Sequence, residues 1–117
     1  MSMKQEGRSG GRRGAGTKGR APAEARGIEE TAELMKLAGN STRLKLLYLL
    51  DSMKELSVSD LAELLQVSVS AVSQHLAKLR ARGLVSSRRD AQTIYYRLAE
   101  HDFIDKLRAE FFGVWAN

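Results

Sequence analysis

The 117-residue chain has no cysteine, a single proline and only seven aromatic residues. Without cysteine it can form no disulfide, no thiolate metal site and no thiol redox switch. No apolar run reaches the roughly 18 residues that a membrane span needs. Nor does an apolar core follow the first charges, as it would in a secretory signal. The expectation is a soluble cytoplasmic protein that makes no use of a membrane. Its length leaves room for one small domain, which excludes most large catalytic folds. With two histidines, no Gly-rich phosphate loop and no carboxylate pair in a plausible pocket, nothing supports an enzyme.

What the chain does have is positive charge, a net +5, and its position is uneven. Residues 1–26 carry seven Lys and Arg against Glu6 and Glu24, so this segment alone accounts for +5. It also holds six of the ten glycines and the only proline. Such a segment cannot bury enough apolar surface to offset the entropy of ordering it, and disorder is expected. It reads either as an arm lying along nucleic-acid phosphates or as a solubilising tail. Residues 27–117, the expected domain, hold twelve bases and twelve acids. Within that neutral body, Lys78, Arg80, Arg82, Arg88, Arg89 and Arg97 face only Asp90, a local +5 over twenty residues. A basic strip on a neutral body is a more specific nucleic-acid signal than overall charge.

Hydrophobic periodicity orders the body. Ile28, Thr31, Leu34, Met35 and Ala38 recur at helical steps over 28–38. Gly39-Asn40 ends this helix, and Asn40 or Ser41 caps the next. Residues 42–51 are apolar on most sides and predict a central helix. Leu56-Ser57-Val58 is a short extended piece. Ser59-Asp60 opens a helix through Gln66. Val67-Ser68-Val69 is a tight turn, with Ser68 as N-cap of a helix that stops at Gly83. Residues 84–88 and 93–98, rich in β-branched and aromatic residues, predict a β-hairpin with a turn at Arg89-Asp90-Ala91-Gln92. A last helix spans about 101–113, with Phe103, Ile104, Leu107, Phe111 and Phe112 at helical spacing. The order is that of a mainly α winged helix-turn-helix with a small β-hairpin and an added helix at each end.

On a helical wheel of 69–82, Val72, Leu76 and Leu79 face the core, with Val69 near them. Ser70, Ser73, Gln74, Ala77 and Ala81 lie opposite. Hydroxyls and an amide at the start of such a helix suit base edges in the major groove, where Gln pairs bidentately with adenine. Lys78, Arg80 and Arg82 flank that face and suit phosphates. Arg88 and Arg89 at the wing suit the minor groove or its phosphates. They suit equally a hairpin edge protected from aggregation. His75, at the boundary of the two faces, reads as a structural residue or a further DNA contact.

The stretch SVSAVSQHLAKLRARGLVSSRRDAQTIYYRL (68–98) closely resembles ArsR/SmtB-type bacterial winged-helix regulators. AELMKLAGNSTRLKLLYLL upstream is similar to that family's opening. The likeness covers about residues 28–112, and the RRDAQTIYY wing places it nearest the metal-independent branch of nodulation-gene and hemolysin regulators. The resemblance implies a sequence-specific transcriptional regulator of double-stranded DNA. It implies a dimeric repressor of a pseudo-palindromic operator, and its motif, matched position by position, points to Ser70, Ser73, Gln74 and His75 as DNA-facing; with Ser68, Lys78, Arg80, Arg82, Arg88, Arg89 and Gln92 these make up the expected DNA-binding set. A homodimer through the terminal helices is also implied. Ile28, Leu34, Met35, Phe103, Leu107, Phe111 and Trp115 are the candidate interface, and Phe103, Leu107, Phe111, Val114 and Trp115 exceed what so small a body can cover alone. They also suit a cap on the protomer's own core.

The sensing half of the family is where the chain departs. Glu55-Leu56-Ser57-Val58-Ser59-Asp60 occupies the region of a metal-binding Cys motif, and hydroxyls are poor ligands for soft metals. Near the last helix only His101 is available, beside Asp102, Asp105 and Glu110, a weak metal candidate. No cofactor is therefore expected, and the inducer stays open. Two other readings stand beside the regulator: a metal-responsive repressor using a His/carboxylate site at the last helix, and a winged-helix protein-interaction module.

Overall fold

A computed structural model describes residues 23–116. The expected disorder of the basic tail falls mostly on residues outside that range. The chain divides into two compact units, one up to Ala32 and one from Glu33 onward, and the fold below is that of the second. Helix α1 (Ala23–Ala38) starts five residues earlier than periodicity indicated, because Ala23, Glu24 and Ala25 are good helix formers following Pro22. Ile28, in the first unit, is exposed. In the second unit Ala38 is buried, and Leu34 and Leu37 pack on the core. Gly39 has no left-handed φ. It is suited to its place by close approach, since a Cβ there would lie 3.1 Å from the Met35 carbonyl oxygen.

Asn40 caps α2 (Ser41–Met53), its Oδ1 accepting the Arg43 N–H at 3.0 Å. Leu46, Leu47 and Leu50 are buried, as a central helix requires. Strand β1 (Leu56–Ser57) leads straight into α3 (Val58–Leu65). The cap of α3 is Ser57, whose Oγ accepts the Asp60 N–H at 3.0 Å, so the helix begins before the Ser59-Asp60 start expected from sequence. Gln66 ends it in the left-handed region at φ 57°. The turn is thus Gln66-Val67-Ser68, one residue earlier than expected, and α4 follows as Val69–Ala81. Its terminator is Gly83 at φ 75°, as anticipated.

The hairpin is tighter than its sequence suggested. Strands β2 (Val85–Asp90) and β3 (Thr93–Leu98) pair from Val85↔Leu98 to Asp90↔Thr93, leaving Ala91-Gln92 alone as the turn. Ala91 adopts φ 57°, a left-handed conformation that costs a non-glycine residue about 1–2 kcal/mol. Paired strands match the twist that such short turns impose, so the ladder holds it. Strand β1 adds antiparallel to the other side of β3, giving the order β1-β3-β2. The last helix begins as α5 (Asp102–Leu107), widens into a π-helical turn (Arg108–Phe112) and finishes as α6 (Gly113–Trp115).

The core gathers Leu46, Leu47 and Leu50 of α2, Leu61, then Val72, Leu76 and Leu79 of α4, with Leu84, Val85, Ile104, Leu107 and Phe112. Every layer of the winged helix contributes to it, which fixes α4 against the body. At about 25 cal/mol per Å² of apolar surface, each of the larger residues contributes roughly 1.5–3 kcal/mol. No helix among the described residues is long and apolar enough to cross a membrane.

Candidate nucleic-acid interface

The inward row of α4 is complete: Val72, Leu76 and Leu79 have no exposed surface. This seats the helix and leaves the opposite face outward. Ser70, Ser73, Gln74, Ala77 and Ala81 are all exposed there. Among the described residues, the side chains of Ser70, Ser73 and Gln74 make no hydrogen bond within the chain. Ser68 does, its Oγ accepting the Ala71 N–H at 3.0 Å, and its own O–H stays available as a donor. Val69 departs from expectation. It is 50% exposed rather than part of the core row, at the first position of α4.

The cations of the basic strip fall into two groups. Lys78, Arg80 and Arg89 are exposed and form no ion pair among the described residues. Arg82 meets Glu33 at 3.3 Å with both side chains about half exposed, a pairing worth little in water. Arg88 is engaged differently. Its Nε and Nη2 donate to Oε2 and Oε1 of Glu55 at 2.9 and 2.8 Å, and its guanidinium sits 4.7 Å from the Tyr95 ring centroid. The hydrogen bond and charge of Arg88 hold the Glu55 carboxyl below its usual range. Gln92 is exposed at the hairpin tip.

His75 is half-buried, and its Nδ1 lies 3.1 Å from Nη1 of Arg43. A guanidinium only donates, so Nδ1 accepts and the ring proton is on Nε2. Arg43 in turn donates through Nε to the Leu37 carbonyl at 2.6 Å. Burial, then the charges of Arg43 and Lys78, push the imidazole below its ordinary range. His75 is therefore tied to the body, and only Nε2 is left for any outward contact. Its partner lies 32 positions away. No short-range pattern could have revealed it.

His101, the metal candidate, is the N-cap of α5. Its Nδ1 accepts the Phe103 N–H at 3.0 Å. It shares an open depression of about 730 Å³ with Glu100, Asp102, Asp105 and Arg108. Among the described residues no three His, Asp or Glu side chains are grouped to hold a metal ion.

The residues expected at a dimer interface separate as well. Leu107 is buried within the protomer's own core, and Leu34 and Phe103 pack against that core. Met35, Phe111, Val114 and Trp115 remain outward, at 62%, 48%, 66% and 47% exposure. Met35, Leu44, Phe111 and Trp115 help to line an apolar groove of about 470 Å³. Trp115 stacks on Phe111 with centroids 5.7 Å apart and meets Tyr48 edge-on at 5.9 Å.

Residues 40–87, which run from the cap of α2 into β2, match the model of the bacterial regulatory protein, arsR family. The crystal structure of NolR from Sinorhizobium fredii superposes with a TM-score of 0.67 at 39% identity, over 81% of this chain and 93% of that one. The chain belongs to the arsR family. A second arsR-family relative, the transcriptional activator HlyU of Vibrio cholerae, is 51% identical over 67 residues, 56% of this chain and 60% of that protein. The solution structure of the homodimeric winged helix-turn-helix DNA-binding domain Mb0332 from Mycobacterium bovis gives a TM-score of 0.68 at 28% identity, over 79% of this chain and 84% of that one. NolR, which in Rhizobium meliloti is named a nodulation protein, is of the nodulation-gene kind to which the wing sequence pointed. The chain spans about three fifths of the length of the curated arsR-family relatives it matches first.

Proposed function

We propose that the chain is a sequence-specific, DNA-binding transcriptional regulator that acts in the cytoplasm as a homodimer on a pseudo-palindromic operator, and that it is not an enzyme. The observation that carries this is the outward face of α4. Ser70, Ser73 and Gln74 are exposed with no partner among the described residues, on a helix whose inward row is wholly buried. Polar groups left unpaired on a rigid helix are what base-edge readout needs. Lys78, Arg80 and Arg89, unpaired among the described residues, supply phosphate contacts on either side. The outward Met35, Phe111, Val114 and Trp115 supply an apolar surface for the second protomer, and the M. bovis relative is named a homodimer. Two-fold symmetry sets the two α4 helices about 34 Å apart, one turn of B-DNA. Such a dimer on a promoter represses by excluding polymerase. The V. cholerae relative is named an activator, so a transcription assay on the bound promoter reads the sign.

The test is a gel shift with the chain's own upstream region against random duplex. A specific, salt-sensitive complex is expected. Gln74→Ala should cost about 1–3 kcal/mol at particular base pairs and little elsewhere. Equal weakening on every sequence would remove Gln74 from the base contacts, and equal binding of the parent to random duplex would defeat the operator reading.

A further inference from the structure

We propose that Arg88 and Glu55 form a latch that sets the position of the wing, and that Arg89, of the two adjacent arginines on β2, is the one that makes a phosphate contact. This rests on the reading of the chain as a DNA-binding regulator.

Adjacent in sequence, the two arginines have opposite surroundings. Side chains alternate along a strand, so Arg88 and Arg89 project from opposite faces of β2. Arg88 lies opposite Tyr95 in the ladder, and Arg89 opposite Ile94. Glu55 directly precedes β1, on the far side of the central strand β3. The two hydrogen bonds from Arg88 therefore cross the width of the sheet. They pass over Tyr95, whose ring lies 4.7 Å below the guanidinium. Strands are about 4.8 Å apart, so an ordinary neighbouring pair would not span this gap, and only a long side chain does.

The consequence is mechanical. β1 runs into α3, and Ser57 serves both as the last residue of β1 and as the cap of α3. A clamp from β2 to the residue before β1 ties the outer wing strand to the start of the helix-turn-helix. Without it, β1 holds β3 through only two paired positions, Leu56↔Tyr96 and Ser57↔Tyr95. The hairpin tip lies beyond both. The clamp is bidentate, the geometry in which a guanidinium and a carboxylate bind best. Two of the five Arg88 N–H donors are committed to Glu55, and a phosphate would have to displace that carboxylate or accept what remains. Arg89 carries no such partner among the described residues.

The experiment measures affinity of the full chain for its own promoter duplex by fluorescence anisotropy, over a range of KCl concentrations. R89A is expected to lower the slope of log K against log salt by about 0.9, the loss of one phosphate contact. R88K and E55Q are each expected to weaken binding several-fold with the slope unchanged. Lysine serves a phosphate as a point charge but cannot replace a bidentate clamp. An R88K chain that binds like the parent would therefore overturn the latch, as would an E55Q chain that binds tighter with a steeper slope. A double-mutant cycle of Arg88→Ala and Glu55→Gln, read by urea denaturation without DNA, should show coupling between the two positions, and additivity would also overturn it. Equal affinity of the parent for random duplex is a separate outcome, read before any variant, that defeats the operator reading itself.

Discussion

Helix α4 and the end of the last helix dispose of their apolar side chains in opposite ways. In α4 the row Val72, Leu76 and Leu79 is wholly buried, and beyond Val69 at its start the outward face is hydroxyl, amide, small or cationic. From Phe111 to Trp115 the apolar residues Phe111, Val114 and Trp115 are about half exposed or more. A helix sorted completely into buried and polar faces has nothing left to offer but polar contact. One that keeps aromatics outside offers an apolar surface, which water penalises until something covers it. The two helices thus offer surfaces of different chemistry, one polar and cationic and one apolar.

The contrast can be broken at either end. Leu76→Ala removes a side chain with no exposed surface and should cost about 2–5 kcal/mol in urea denaturation, with loss of DNA binding following the loss of fold. A change below that range would mean that α4 is not seated as described. Phe111→Ser acts on a residue 48% exposed, so the protomer's secondary structure should survive. The dimer's dissociation constant should rise tenfold or more, measured by sedimentation across concentrations. An unchanged constant would move the interface elsewhere. Ser68→Ala deletes the cap of α4 and should cost about 1 kcal/mol by denaturant melting, with α4 fraying at its start.

The smallest effect is electrostatic. The fold favours the neutral form of His75, so the folded chain binds fewer protons there than the unfolded chain does. That contribution is fully present above the ordinary imidazole value of ~6.5 and is lost as pH falls below it. Urea midpoints should therefore decline on acidification, and part of the decline should disappear in H75Q. A decline of the same size in H75Q would assign it to other groups.

Much of this arrangement was legible before any coordinates. Ser68 as a cap, Gly83 as a terminator and the inward row of α4 follow from local rules of capping and periodicity, and they locate the polar face that the function needs. The cap at Ser57 was missed because Ser59 and Asp60 offer equally good capping chemistry two residues on, and pairing of β1 with β3 decides between them. The commitments of Arg88 to Glu55 and of His75 to Arg43 join positions 33 and 32 residues apart. A charge count treats all arginines of the strip alike. Only tertiary placement separates those with a partner from those without, and Leu107, expected at an interface, was drawn into the core for the same reason.

The wide turn at Arg108–Phe112 has a consequence for which aromatic faces where. In a regular α-helix the inward neighbour after Leu107 comes three or four residues later, at Glu110 or Phe111. Here the buried residue is Phe112, five residues on, the repeat of a π-helix. One extra residue in the winding has rotated everything after it by about a third of a turn, roughly the 100° that one residue subtends. Arg108, the first residue of this turn, donates from Nε to Asp51 Oδ1 at 2.7 Å. The identity of the exposed aromatics is therefore a matter of phase. Rewinding the same residues as a regular α-helix would bring Phe111 inward in place of Phe112 and turn the whole outer face by that angle, with its composition unchanged. A chain one residue shorter and regularly wound would keep the present face, whereas one of equal length wound without the wide turn would present another and would mismatch with this chain as a partner.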